Sequence, residues 1–191
     1  KSGKITEFEA LARMKTEKLG FVLPLEFIHI AEKTKLIVPV GYKIIRLALG
    51  FLKRLKESGY DDINISVNIS AIQLLKPDFP VNLLRIIDEM QVDPANIGIE
   101  LTESIFASDF DEINRIISEL RAQKIQIAID DFGTGYSTLA RERELYVDCL
   151  KIDKSFIDKL KTENPQNTMT ADIISIAHKM GHCVIAEGVE C

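Results

Sequence analysis

The chemistry available to this chain lies in carboxylates that close alternating strands. The clearest case is IQIAIDDFGTGYS, residues 125–137. Ile125, Ile127 and Ile129 share one side of a strand, while Gln126, Ala128 and Asp130 share the other, because side chains alternate. Asp131 follows at the strand tip, and Gly133 and Gly135 let the chain turn at once, since glycine reaches positive φ at little steric cost. Adjacent like charges repel unless a proton or a cation offsets them. Alone, the stretch fits a solvated turn, a helix N-cap or a metal site at a strand end.

The rest of the chain decides among the three. Glu9, Asn68, Glu100, Asp130, Lys151 and Glu187 each fall on the polar side of an alternating segment, near its carboxyl end. Several carboxylates gathered in one mouth carry a large desolvation cost unless cations are bound. Oxygen donors with one amide and no His or Cys suit hard ions, Mg²⁺ or Mn²⁺, over zinc.

Positioning such groups takes strands separated by helices. Alternation predicts strands over residues 5–14, 63–70, 97–104, 125–131, 148–155 and 183–190. Helices are predicted from Pro24, over 40–58, 82–90 and 109–123, briefly over 137–145, and over 170–180. The stripe Ile113, Ile116, Ile117 and Leu120 recurs at helical spacing. Strand–helix alternation implies a parallel sheet with helical crossovers. About six strands without a GxGxxG phosphate turn fit an α/β fold of the TIM-like β/α barrel type, whose sites lie at the carboxyl ends of the strands.

The length of 191 residues and 46% hydrophobic content suit one domain with a full core. A net charge of -5 speaks against a broad nucleic-acid-binding face, so no DNA partner is expected. No apolar run is long enough to span a membrane, so no membrane contact by this segment is expected. Cys149, Cys183 and Cys191 are an odd set without metal-ligand spacing, which reads as a reducing, cytoplasmic compartment and no disulfide framework. The segment could equally be the cytoplasmic part of a membrane-anchored protein.

The motifs FEALAR with Glu9, Ala10 and Leu11, then PLEFIHIAE, SVNIS, IELTES, IDDFGTGYS, LKIDKSFI and AEGVE run in order along the whole chain. Together they closely resemble the EAL-domain cyclic-di-GMP phosphodiesterases, whereas each alone is weak. The resemblance implies a β/α barrel and hydrolysis of cyclic di-GMP to linear pGpG in bacterial second-messenger signalling. It implies that residues 1–191 are one EAL domain truncated at both ends, without the family's first strand and its C-terminal strand and helix.

By the same resemblance, Glu9, Asn68, Glu100 and Asp130 hold one metal, and Asp130 bridges to a second held by Asp131 and Glu187. Leu11, Arg13 and Asp153 are expected at the substrate, with Arg13 facing a phosphate through its bidentate fork. Lys151 is expected near the attacking water, and Glu187 or Asp131 would accept its proton. Glu103 is expected to steady the loop 132–137. The resemblance further implies two Mg²⁺ or Mn²⁺ ions, a homodimer, and fusion to a sensory or GGDEF-type domain, and the larger, looser coordination of Ca²⁺ predicts that it binds the same acids and inhibits. Two departures stand out: Ile72 where Arg is common, and Glu142 where the dimerisation segment is usually apolar. The alternative function is a catalytically inactive EAL domain that holds cyclic di-GMP or a protein partner without cleavage.

Overall fold

A computed structural model of the chain describes residues 3–103, 105, 109–133, 146–160 and 169–189. The alternating segments become six parallel strands: β1 (Glu7–Ala10), β4 (Asn64–Asn68), β5 (Ile97–Thr102), β6 (Gln126–Phe132), β7 (Cys149–Ile152) and β8 (Cys183–Ala186). Each pairs with the next in chain order, β1-β4-β5-β6-β7-β8. Sequential parallel order with helical crossovers is the connectivity of a β/α barrel. Among the described residues β1 and β8 are the two edges of this arc.

The crossovers supply the apolar cover. They are α1 (Pro24–Lys33), α2 (Ile37–Glu57), α3 (Ala71–Leu74), α4 (Phe79–Met90), α5 (Phe110–Ala122), α6 (Lys154–Lys159) and α7 (Met169–Lys179). Helix α2 buries Ile45, Ala48, Leu49 and Leu52, spaced at three and four residues so that they share one face. Helix α5 buries the expected stripe Ile113, Ile116, Ile117 and Leu120, and Asp109 caps it by accepting the Glu112 N–H at 3.3 Å. The central strand β5 is buried from Ile97 to Leu101, as expected where helices cover one face and neighbouring strands fill the other. At the amino end of the strands Asp148 accepts the Ile127 N–H at 2.9 Å and the Arg121 guanidinium at 2.7 Å, tying β6, β7 and α5 together.

Three expectations are corrected. The single strand over 5–14 ends at Ala10, opposite Val67, and the chain then forms a separate hairpin of β2 (Met14–Thr16) and β3 (Gly20–Val22). Gly20, at φ +66°, permits the turn into β3. The strand over 148–155 ends at Ile152, because Asp153 becomes the N-cap of α6, accepting the Ser155 N–H at 2.9 Å. Finally, the cysteines were expected to be unpaired, yet the sulfurs of Cys149 and Cys183 are in bonding contact. The cause is register: parallel β7 and β8 set Cys149 directly opposite Cys183, a proximity that 34 residues of separation hide in the sequence. The expected helix over 137–145, Glu142, the second half of the glycine loop and Cys191 lie outside the described residues.

Candidate active site

Because the six strands of the main sheet run parallel, residues near their carboxyl ends reach one mouth. Lys151 on β7 lies at its centre, 5% exposed. Its ammonium donates to Glu100 at 2.7 Å and to Glu187 at 2.7 Å, and lies 3.2 Å from Asp130 and 3.5 Å from Glu9. Four strand ends thus converge on one lysine. Asn68 donates to Glu9 at 2.7 Å, and the backbone N–H of Asp131 donates to the Asp130 carboxylate at 3.0 Å. Asp131 has φ +55°, a left-handed backbone that a short polar side chain tolerates better than most, and this turns the second acid of the pair onto the rim. Glu187 lies one residue past β8, and its N–H is bonded to the Ile152 carbonyl at 3.0 Å, so β7 positions it as much as β8 does.

The charges are out of balance. Burial raises the Glu100 carboxyl to about 7, although hydrogen bonds from Lys151 and Ser66 oppose the rise. Burial raises Asp131, with the neighbouring Asp130 and Asp153 charges adding to it, and burial raises Glu187 against the pull of Lys151. For Lys151 burial works to lower the pKa, but hydrogen bonds to Glu100 and Glu187 outweigh it and hold the ammonium charged well above the usual lysine range. One lysine cannot neutralise this many acids, so protons or cations must supply the remainder.

The acids fall into two groups suited to that task. Glu9, Glu100 and Asp130 offer ligand oxygens within 4.8 Å of one another, and so do Asp130, Asp131 and Glu187. Asp130 belongs to both. An all-oxygen donor set, with Asn68 beside Glu9, fits hard divalent cations.

The sequence model of the EAL domain matches residues 1–191. The chain belongs to the EAL domain family. As an EAL domain it is 37% identical over 190 residues to the signaling protein YkoW of Bacillus subtilis, covering 100% of this chain and 24% of that protein. It is 32% identical over 189 residues to a cyclic di-GMP phosphodiesterase of Pseudomonas aeruginosa, covering 99% of this chain and 32% of that one. The chain therefore spans about a quarter to a third of these curated relatives. The solved PaMucR phosphodiesterase in complex with c-di-GMP superposes with a TM-score of 0.91 at 32% identity, covering 99% of this chain and 76% of that one. The arc of parallel strands is thus part of the family's TIM-like barrel.

Not every expected residue of the EAL domain sits in the cluster. Glu9, Asn68, Glu100, Asp130, Asp131, Lys151 and Glu187 are brought together. Leu11 and Arg13 lie past the end of β1, lining a groove of about 800 Å³ with Phe8, Ile30 and Phe51, and the Arg13 guanidinium donates to the Ala12 carbonyl at 2.9 Å. Asp153 spends its carboxylate on the α6 cap, and the hydrogen bond from Ser155 holds its pKa below the usual range. Glu103 accepts the Gly133 N–H at 3.1 Å, at the start of the glycine loop. The residue that sequence reasoning passed over is Ser66. It is 2% exposed and its hydroxyl donates to Glu100 at 2.6 Å, opposite the oxygen that takes Lys151. The hydroxyl-and-amide face of SVNIS was the available signal.

Proposed function

We propose that this EAL domain hydrolyses cyclic di-GMP to linear pGpG with two Mg²⁺ or Mn²⁺ ions. The observation that carries the reading is the pair of carboxylate groups sharing Asp130 around Lys151 at the strand ends. Relatives named as cyclic di-GMP phosphodiesterases and a solved relative in complex with c-di-GMP support the choice of substrate.

Glu9, Asn68, Glu100 and Asp130 would hold one cation, and Asp130, Asp131 and Glu187 the other. Bound there, the ions would supply Lewis acidity toward a phosphate oxygen and make a neighbouring water easier to deprotonate. The chain's own groups do the rest. Lys151 stays protonated, so it serves as hydrogen-bond donor and counter-charge for the incoming water and never as base. Asp131 or Glu187 takes the water proton. Arg13 offers two parallel N–H groups to the substrate phosphate, and Leu11 and Asp153 complete the substrate contacts. Glu103 keeps the glycine loop seated through Gly133. The oxygen of water bonds to phosphorus, the bond to the 3′ oxygen breaks, and that oxygen leaves with a proton.

The same reading makes residues 1–191 one EAL domain, working in the cytoplasm where the nucleotide messenger is met, as a homodimer under a sensory or GGDEF-type module. The test is chromatography of cyclic di-GMP after incubation with the full-length protein. Release of pGpG with Mg²⁺ or Mn²⁺, and none after chelation, is the expected result. Tight binding of cyclic di-GMP with no pGpG under any cation would overturn the enzyme reading in favour of a receptor.

A further inference from the structure

Strand β4 sends one donor to each of its neighbours. Asn68 donates to Glu9 on β1 at 2.7 Å, and the Ser66 hydroxyl donates to Glu100 on β5 at 2.6 Å. Because β1 and β5 flank β4, Ser66 lies in the interior of the sheet, in register with Glu9 on one side and Gly98 on the other. It is 2% exposed, and Glu100 is 5% exposed. Glu100 follows Gly98 by two residues and so points to the same side of β5. A Cβ at Gly98 would come within 3.1 Å of the Ser66 Cβ, so the glycine leaves Ser66 its place beneath Glu100.

The two oxygens of Glu100 are drawn in different directions. Oε1 accepts the Ser66 hydroxyl on β4, and Oε2 accepts the Lys151 ammonium, which reaches across from β7 and also meets Asp130 and Glu187. Only Oε2 is turned into the group of acids. A carboxylate that chelates one ion must turn both oxygens toward it, and Glu100 does so only by giving up the Ser66 bond. Hydrogen bonds to an ionised group are among the stronger ones, and a buried hydroxyl left without its acceptor adds to the cost.

We propose that Ser66 is a positioning residue that holds Glu100 to a single ligating oxygen and so favours small octahedral cations, Mg²⁺ and Mn²⁺, over Ca²⁺. The proposal rests on the reading of Glu100 as a cation ligand. Mg²⁺ demands near-ideal octahedral geometry, whereas Ca²⁺ takes up to about eight oxygens and readily uses bidentate carboxylates. A Glu100 limited to one oxygen meets the first need and fails the second. Ser66 acts through Glu100, its hydroxyl hydrogen committed to that carboxylate. Groups that orient a metal ligand from behind typically carry about 10–100-fold in metal affinity.

The experiment titrates Mg²⁺, Mn²⁺ and Ca²⁺ separately into the metal-free full-length protein by calorimetry, without cyclic di-GMP, and compares the parent with Ser66→Ala and Ser66→Thr. Removing the hydroxyl frees Oε1. Ser66→Ala should bind Mg²⁺ and Mn²⁺ more weakly and Ca²⁺ at least as tightly as the parent, raising the ratio of Ca²⁺ to Mg²⁺ affinity about tenfold. Ser66→Thr keeps the hydroxyl and should keep the parent ratio. A purely structural loss would weaken all three cations alike. If Ser66→Ala folds poorly, Ser66→Cys, whose thiol is a weak donor, should shift the ratio in the same direction. A ratio unchanged by loss of the hydroxyl, or a Ser66→Thr shift equal to that of Ser66→Ala, would overturn the proposal and leave the phosphodiesterase reading intact. A parent that takes up no divalent cation removes the ligand set itself, and both readings with it.

Discussion

Replacing Lys151 with alanine tests whether that lysine is the internal counter-ion of the cluster. Its ammonium lies 2.7 Å from Glu100 and from Glu187, with only 6% of the side chain exposed. At an effective dielectric near 20, unit charges about 2.7 Å apart attract by about 6 kcal/mol, much of which offsets the cost of burying them. Breaking a buried set by removing one member typically costs about 3–5 kcal/mol. Against a total stability of about 5–15 kcal/mol, the metal-free variant should lose about a fifth or more of its resistance to unfolding. A divalent cation at about 100 times its Kd returns about 2.7 kcal/mol, and the variant should gain more than the parent because its acids are less neutralised. Urea unfolding of both proteins, with chelator and with saturating Mn²⁺, measures this directly. With Mn²⁺ present, kcat should fall about 10²–10⁴-fold while cyclic di-GMP affinity changes little, as for a group felt mainly in the transition state. Parent-like stability of the metal-free variant, or equal losses in kcat and affinity, would refute the reasoning.

Glu9→Gln keeps the shape of one cluster acid and removes its charge; it should fold, yet Mn²⁺ affinity and turnover should both collapse, and normal turnover would remove Glu9 from the ligand set. Ca²⁺ prefers roughly 6–8 oxygens at about 2.3–2.6 Å against about 2.0–2.1 Å for Mg²⁺, so it should support cyclic di-GMP binding and inhibit cleavage, with excess Mg²⁺ relieving the inhibition. Full turnover with Ca²⁺ as the sole cation contradicts that. The Glu100 carboxyl, raised from 4.5 to about 7, gives a pH dependence with a definite sign. The folded metal-free protein keeps a proton that the unfolded chain gives up, so stability is full below the lower value and is lost as pH rises through the higher. The loss amounts to about 3 kcal/mol at about 1.4 kcal/mol per pH unit of difference. Chemical unfolding across that interval should show the decline with chelator and a flattened profile with Mn²⁺; a rise in metal-free stability over the same interval contradicts the burial argument.

The acid-bearing strands were legible because their signal is local. Alternation in IGIELT or QIAID fixes which side chains share a face, and a parallel sheet then stacks the strand ends without further information. The stripe on α5 was legible for the same reason at a different period. What the sequence concealed depends on pairing between distant segments. Nothing in residues 5–14 states that β1 must stop where its contact with β4 runs out at Ala10. Ser66 reads as one more small polar residue until β5 brings Glu100, two residues beyond the Gly98 that faces it, within reach of its hydroxyl. Cys149 and Cys183 look unrelated until β7 and β8 lie in register. Asp153 was expected at the substrate, and its use as a helix cap depends on the chain turning into α6 immediately after Ile152. Arg13, outside β1, owes its place to a loop that alternation does not describe.

The most direct test of the central claim follows an oxygen atom. The full-length protein would turn over cyclic di-GMP once in ¹⁸O-labelled water with Mn²⁺, and the product would be weighed and fragmented. Attack of water on phosphorus, promoted by the acids and Lys151 at the strand ends, predicts linear pGpG with one ¹⁸O, carried on its 5′-phosphate. Unchanged cyclic di-GMP, or pGpG with its label on a sugar hydroxyl or absent, would contradict the account.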